Sequence, residues 1–242
     1  MSRIVIGGAH FRNSEFGFVS KILDHAHDLG VDLIDTAPSY GNSEYLIGKY
    51  LKINRNFRVN TKIGRPNPSD FTPIGIEKSV DRSLHLLKVE QIHTLFIHSL
   101  SPEYLNYENL EALNRIKKKG KANFIGYSGD GTNLQFANGI VGFDSFMATF
   151  NPIDIENSKL LLKMPETKDI YLKRILAGGV WKKRFRSEVK KKLMINLWRS
   201  GQQVDLDSYN FRFKEIFGAP KYLTSHLKHF VKFSLSLHPE FL

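Results

Sequence analysis

Seven short apolar runs, alternating with stretches of helical spacing, limit what this chain can fold into. The runs are RIVIGG (3–8), VDLIDTA (31–37), FRVNTKIG (57–64), IHTLFIHS (92–99), ANFIGYSG (122–129), FDSFMATFN (143–151) and DIYLKRILAGG (169–179). Between them VSKILDHAHDLG (19–30), SEYLIGKYLK (43–52), PIGIEKSVDRSLHLLK (73–88) and NLEALNRIKKKG (109–120) carry apolar residues at helical intervals. A Ser or Pro start and a Gly stop bound several of them. Strands that alternate with helices are parallel and joined by helical crossovers. The residues with chemical potential stand after several different strands. In a barrel those strand ends converge on one rim, whereas in an open sheet they spread along an edge with one crevice at the switch point. The expectation is therefore an α/β fold of the TIM (β/α)8 type, one domain over residues 1–242. The chain's 242 residues, 41% hydrophobic, suit such a barrel of about 250.

The eighth strand is not evident. YLTSHLKHFVKFSLSLHPEFL (222–242) reads as helical, as does LMINLWRS (193–200), and only EFL is left over at the end. The expectation is a barrel incomplete or modified at that position, which closes differently, stays open, or borrows a strand from another chain in a homo-oligomer.

The chain has no cysteine, its N-terminal apolar run is far shorter than the core of a signal peptide, and no run approaches the about 20 residues of a membrane span. A cytoplasmic protein without membrane attachment is expected. The net charge of +11 is concentrated in RIKKKGK (115–121) and WKKRFRSEVKKK (181–192). The first fits a helix C-terminus, where cations favour the dipole. The second, interleaved with Trp181 and Phe185, leaves contact with an anionic ligand open; nucleic acid is the more distant reading. His25 and His27 stand two apart on a helix and face different sides, so no metal site is expected.

Asp35 ends the second run, with Tyr40 in the loop that follows; Lys62 ends the third and His98 the fourth. Singly these are a turn former, a rim aromatic, a solvated lysine and a structural histidine. On one barrel rim they form an acid–base group. A phenol with a pKa of about 10 is a poor proton donor at neutral pH. Bringing a phenol toward about 7 takes about 4 kcal/mol of phenolate stabilisation. An ammonium about 4 Å away supplies that much at an effective dielectric of about 20. Asp35 can hold Lys62 charged, and His98 can orient a carbonyl oxygen. Such a group donates a proton to an oxygen that is becoming an alkoxide; what it lacks is a hydride source.

GVDLIDTAPSYGNSEYLIGKYL, RVNTKIG, SVDRSLHLLKVEQIHTLFIHS and KKKGKANFIGYSG resemble the successive signature blocks of the aldo-keto reductases, over roughly residues 3–180. The DTA-x-x-YG-x-SE form is similar to a bacterial branch common among sugar-modifying enzymes. The resemblance implies a TIM barrel and NADP(H)-dependent reduction of an aldehyde or ketone, with carbohydrate metabolism as the setting. It maps the family's tetrad onto Asp35, Tyr40, Lys62 and His98. It also implies cofactor contacts from Gly7 and Gly8 after the first strand, from Asp35, from Ser128, and from Ala177 and Gly178 after the seventh. His10 stands at the same rim and is expected to touch substrate. The pattern departs from the family where Gly129 replaces an Asn, Met147 replaces a Gln, and the last strand's 2′-phosphate residues are not found. That departure leaves an alternative, a lyase, epimerase or dehydratase using the same tetrad without nicotinamide.

Overall fold

The computed structural model describes residues 4–54, 57–151 and 156–175. Seven strands form one sheet: β1 (Ile6–Gly7), β2 (Leu33–Asp35), β3 (Arg58–Ile63), β4 (Ile92–His98), β5 (Ala122–Ser128), β6 (Ser145–Thr149) and β7 (Asp169–Lys173). Their spatial order is their sequence order, and each registered pairing from β1 to β6 is parallel. A doubly wound sheet reverses its strand order at a switch point. This one never does among the described residues, so the alternation is singly wound, as a (β/α) barrel requires. The crossovers are α1 (Phe16–Asp28), α2 (Ser43–Leu51), α3 (Pro73–Leu87), α4 (Tyr107–Lys118), α5 (Gly131–Asn138) and α6 (Ser158–Leu161).

Each long helix buries one stripe. In α1 the buried residues are Val19, Leu23 and Ala26; in α3 they are Ile76, Val80, Ser83 and Leu87, spaced three or four apart. Thr72 caps α3 by accepting from the Gly75 amide at 3.2 Å, with Pro73 at the first helical position. Asn106 caps α4 in the same way, and Arg115, Lys117 and Lys118 occupy its last turn, as the charge pattern suggested. Gly48 lets α2 approach α3, since a Cβ there would stand 1.9 Å from the Leu86 carbonyl. Ile34 and Val59 of the sheet pack with Val19, Leu23, Leu46 and Ile47 in an apolar core beneath α1 and α2.

Three differences from the sequence reading have local causes. The first strand is short: Gly8 already opens a 3-10 turn (Gly8–Phe11), because the Ser43 hydroxyl donates to the Gly8 carbonyl at 2.9 Å and folds the chain over α2. Helix α1 begins three residues before the expected start. Helices α5 and α6 were not foreseen; α5 buries only Leu134 and Ala137, too few for a visible stripe. The expected strand at 169–179 is described as far as Lys173. Ala177, Gly178, the basic run 181–192, the helix at 193–200 and the segment 222–242 lie outside the described residues.

The chain divides into two compact units, Met1–Met147 with Pro165–Tyr171, and Ala148–Met164 with Leu172–Leu242. Within the second, the Phe150 amide donates to the Lys173 carbonyl at 3.2 Å and the Asn157 amide group to the Thr149 carbonyl at 2.9 Å. The first unit holds every predicted tetrad residue.

Glu44, in the first turn of α2, is 2% exposed and accepts from the Thr61 hydroxyl at 2.7 Å. Burial pushes its carboxyl above the ordinary value of 4.5, and the hydrogen bond from Thr61 only partly opposes this. A folded-state value above the unfolded one favours folding at low pH, and that contribution is lost as pH rises through the folded value. Glu44→Gln keeps the acceptor and removes the charge. It is expected to raise the denaturation midpoint relative to the parent at pH 8, with the advantage shrinking toward pH 4, as followed by circular dichroism.

Candidate active site

The strand register brings the predicted residues onto one face. Gly7 pairs with Asp35, and Asp35 with Asn60. Lys62 is two residues beyond Asn60 and pairs with Phe96; His98 is two beyond Phe96 and pairs with Ser128. Ser128 in turn pairs with Met147. Registered partners share a face and side chains alternate with period two. Gly7, Asp35, Lys62, His98 and Ser128 therefore face the same way, Lys62 one residue before the end of β3 and the others at the last residue of their strands. The two-residue steps from β2 to β3 and from β3 to β4 are the stagger that tilted barrel strands require.

Lys62 is the centre of the cluster. It is 1% exposed, one of the largest fully buried side chains. A buried ammonium is tolerated only when paired and hydrogen-bonded. Its Nζ donates to Asp35 Oδ2 at 2.5 Å and to the Thr36 carbonyl at 2.8 Å. It also lies 5.1 Å from the centroid of the half-buried Tyr40 ring, within cation–π range. The Tyr40 ring meets His98 edge-on, centroids 6.0 Å apart at 87°. Asp35, Tyr40, Lys62 and His98 thus form one contiguous group.

The loop carrying Tyr40 is fastened at several points. The Thr36 amide donates to Asn60 O at 2.9 Å, and the Tyr40 amide to Ala37 O at 3.0 Å. Thr36 Oγ1 and Ser43 Oγ are 2.9 Å apart, both buried. Gly41 takes φ +60° with Arg12 packed where a Cβ would sit, and Arg12 Nη2 donates to the Ser39 carbonyl. His98 is held from two sides: Ser39 Oγ is 3.4 Å from its Nδ1, and Arg65 Nε donates to its carbonyl at 3.1 Å. Arg65 Nη2 reaches the carbonyl of Ser99, a residue at φ +52°, at 3.4 Å. Sequence reasoning did not single out Arg12, Thr36, Ser39 or Arg65. Only Arg65, a cation just past a strand end, carried a local signal.

Gly7, Gly8, His10 and Ser128 belong to the same unit. A Cβ on Gly7 would meet open space, whereas one on Gly8 would stand 2.8 Å from Ser43 Oγ. Gly8 is thus needed for packing and Gly7 is bare. His10 is exposed in the 3-10 turn. Ser128 is 1% exposed; its carbonyl accepts from the Ser99 amide at 2.7 Å and hydroxyl at 2.9 Å, and that turn makes no use of its own hydroxyl. Met147 is buried, and its carbonyl accepts from the Gly129 amide at 3.0 Å.

The glycine at 129 has a steric cause. A Cβ there would lie 2.3 Å from Cε1 of Tyr127, a fully buried ring whose hydroxyl donates to the Leu100 carbonyl at 2.5 Å. Gly129→Asn is expected to cost about 1–3 kcal/mol through overpacking. Chemical denaturation should show the penalty shrinking in a Tyr127→Leu background, where the ring is absent.

The family model described as the aldo/keto reductase family matches residues 3–212, and the chain belongs to that family. It is 34% identical over 137 residues to the L-galactose dehydrogenase of Arabidopsis thaliana, a match covering 50% of this chain and 43% of that protein. The chain thus spans less than half the length of this curated relative. An aldo-keto reductase of Pseudomonas aeruginosa superposes with a TM-score of 0.65 at 27% identity, covering 74% of each chain. An aldo/keto reductase of Klebsiella pneumoniae, solved with NADP and acetate, gives 0.64 at 17% identity over 73% of this chain and 65% of that one, a likeness of fold alone. No helix among the described residues is long and apolar enough to cross a membrane.

Proposed function

We propose that the protein is a cytoplasmic NAD(P)H-dependent oxidoreductase, one barrel domain, that reduces the aldehyde or ketone of a sugar-like molecule with Tyr40 as general acid. The observation that carries this reading is the buried Lys62 ammonium, clamped by Asp35 and facing the Tyr40 ring at 5.1 Å. A cation so held stabilises the phenolate left behind when Tyr40 gives up its proton. Asp35 keeps Lys62 charged, and His98 orients the substrate oxygen toward the phenol. The relationship to L-galactose dehydrogenase supports a sugar as substrate.

The residues present fit a nicotinamide dinucleotide. Gly7 leaves open space at the end of β1, and a serine hydroxyl such as that of Ser128 can both donate to and accept from a carboxamide. On this reading Asp35 contributes a further contact, and Gly8, buried against Ser43, shapes the wall from behind. A bound reduced nicotinamide supplies the hydride. Titration of the full chain with NADPH, followed by the cofactor's fluorescence, tests the reading. Saturable binding in the micromolar range is expected. Absence of binding, with turnover of a carbonyl substrate persisting without nicotinamide, would replace it with a proton-transfer enzyme on the same four residues.

A further inference from the structure

The loop after β3 and the first turns of α3 enclose, with Pro38, a cleft of about 500 Å³. None of Asp35, Tyr40, Lys62 and His98 lines it. Three cationic side chains do, Arg65, Lys78 and Arg82, against a single acid, Asp70. The two acids of α3 are engaged elsewhere: Glu77 pairs with Lys119 at 3.1 Å and Asp81 pairs with Lys121. The helix thus gives its carboxylates to one neighbour and turns its cations toward the cleft. Arg82 exerts a field on the buried Glu44, yet among the described residues none of the three cations forms an ion pair. Like charges around one opening repel, and an anion bridging them relieves that repulsion.

We propose that this cleft binds a small polyanion, a molecule with two or more phosphoryl or carboxylate charges, and that Arg65 couples its occupancy to His98. Arg65 uses its Nε and Nη2 on the carbonyls of His98 and Ser99, and its guanidinium has further N–H donors for an anion. Lys78 and Arg82 supply charge from α3, and the Ser79 hydroxyl a donor. An anion that draws the guanidinium toward α3 acts on the turn that carries His98. This site is separate from the carbonyl-reducing one and does not rest on that reading, because its signature is binding and not turnover.

Calorimetric titration of the full chain with inorganic pyrophosphate, and separately with citrate, tests it at low ionic strength. Saturable binding at a single site is expected, weakening as salt is added. The tighter of the two probes tells a phosphoryl ligand from a polycarboxylate. Lys78→Gln/Arg82→Gln should weaken binding by about tenfold or more. The control Lys21→Gln/Lys118→Gln, with the same loss of charge, should change it by no more than about twofold. Lys78→Gln alone, at an exposed position, should weaken it by about threefold and serves if the double variant does not fold. The ring signals of His98 in labelled protein should move along the same titration curve. No saturable binding would overturn the proposal, as would equal weakening in both double variants, since that is only diffuse attraction to a chain of charge +11. Saturation without any response at His98 would overturn the coupling.

Discussion

Tyr40→Phe is expected to lower kcat for carbonyl reduction by about 10²–10⁴-fold, the usual contribution of a positioned general acid. The affinity for NADPH should stay within about twofold, because the change removes an interaction made in the transition state and not in the cofactor complex. The substitution deletes one oxygen and leaves the ring, so its contact with His98 at 6.0 Å and the Lys62 ammonium at 5.1 Å both persist. Stability should therefore change little. A kcat within about threefold of the parent would remove Tyr40 from the chemistry. Single-turnover kinetics separate this outcome from an effect on product release.

Lys62→Met should have the larger effect on the fold. The ammonium is buried and donates to Asp35 and to the Thr36 carbonyl. Removing it leaves the Asp35 carboxylate, whose side chain is 13% exposed, without its cation. Breaking one side of a buried ion pair costs about 3–5 kcal/mol, whereas removing both charges together is often nearly neutral. Asp35→Asn/Lys62→Met is accordingly expected to regain most of the lost stability in urea titrations. It should regain none of the activity, because the cation proposed to stabilise the phenolate is still missing. Recovery of turnover in the double variant would show that Lys62 serves only to neutralise Asp35.

The seven strands were legible because each is a run of apolar residues with few interruptions, the pattern of strands buried on both faces. Their ends were also legible: Asp35 and His98 are the last residues of β2 and β4, and Lys62 is the last but one of β3. Local pattern could not say that these ends meet. Lys62 lies 27 residues from its partner Asp35, and His98 lies 59 from Ser39; only the register and stagger of the sheet create these contacts. Similar reasoning applies to Gly129. In sequence it is a departure from the family pattern beside Ser128; in the structure it is the space required by the ring of Tyr127. Helix α5 escaped notice because Phe136 is exposed while Leu134 and Ala137 are buried, so its apolar residues form no single stripe. The fastening of His98 by Arg65 crosses between two strand-end loops and carries no periodic signature.

The most direct test of the central claim follows isotope from cofactor to product. The full chain is incubated with a carbonyl sugar and NADPH deuterated at the reactive carbon, and the product is examined by mass spectrometry. Hydride transfer from the cofactor requires that deuterium appear at the former carbonyl carbon of the product in the parent protein, and that transfer fall with kcat in Tyr40→Phe. Product that carries no cofactor deuterium, but takes up label at carbon from heavy water with or without nicotinamide, would contradict it.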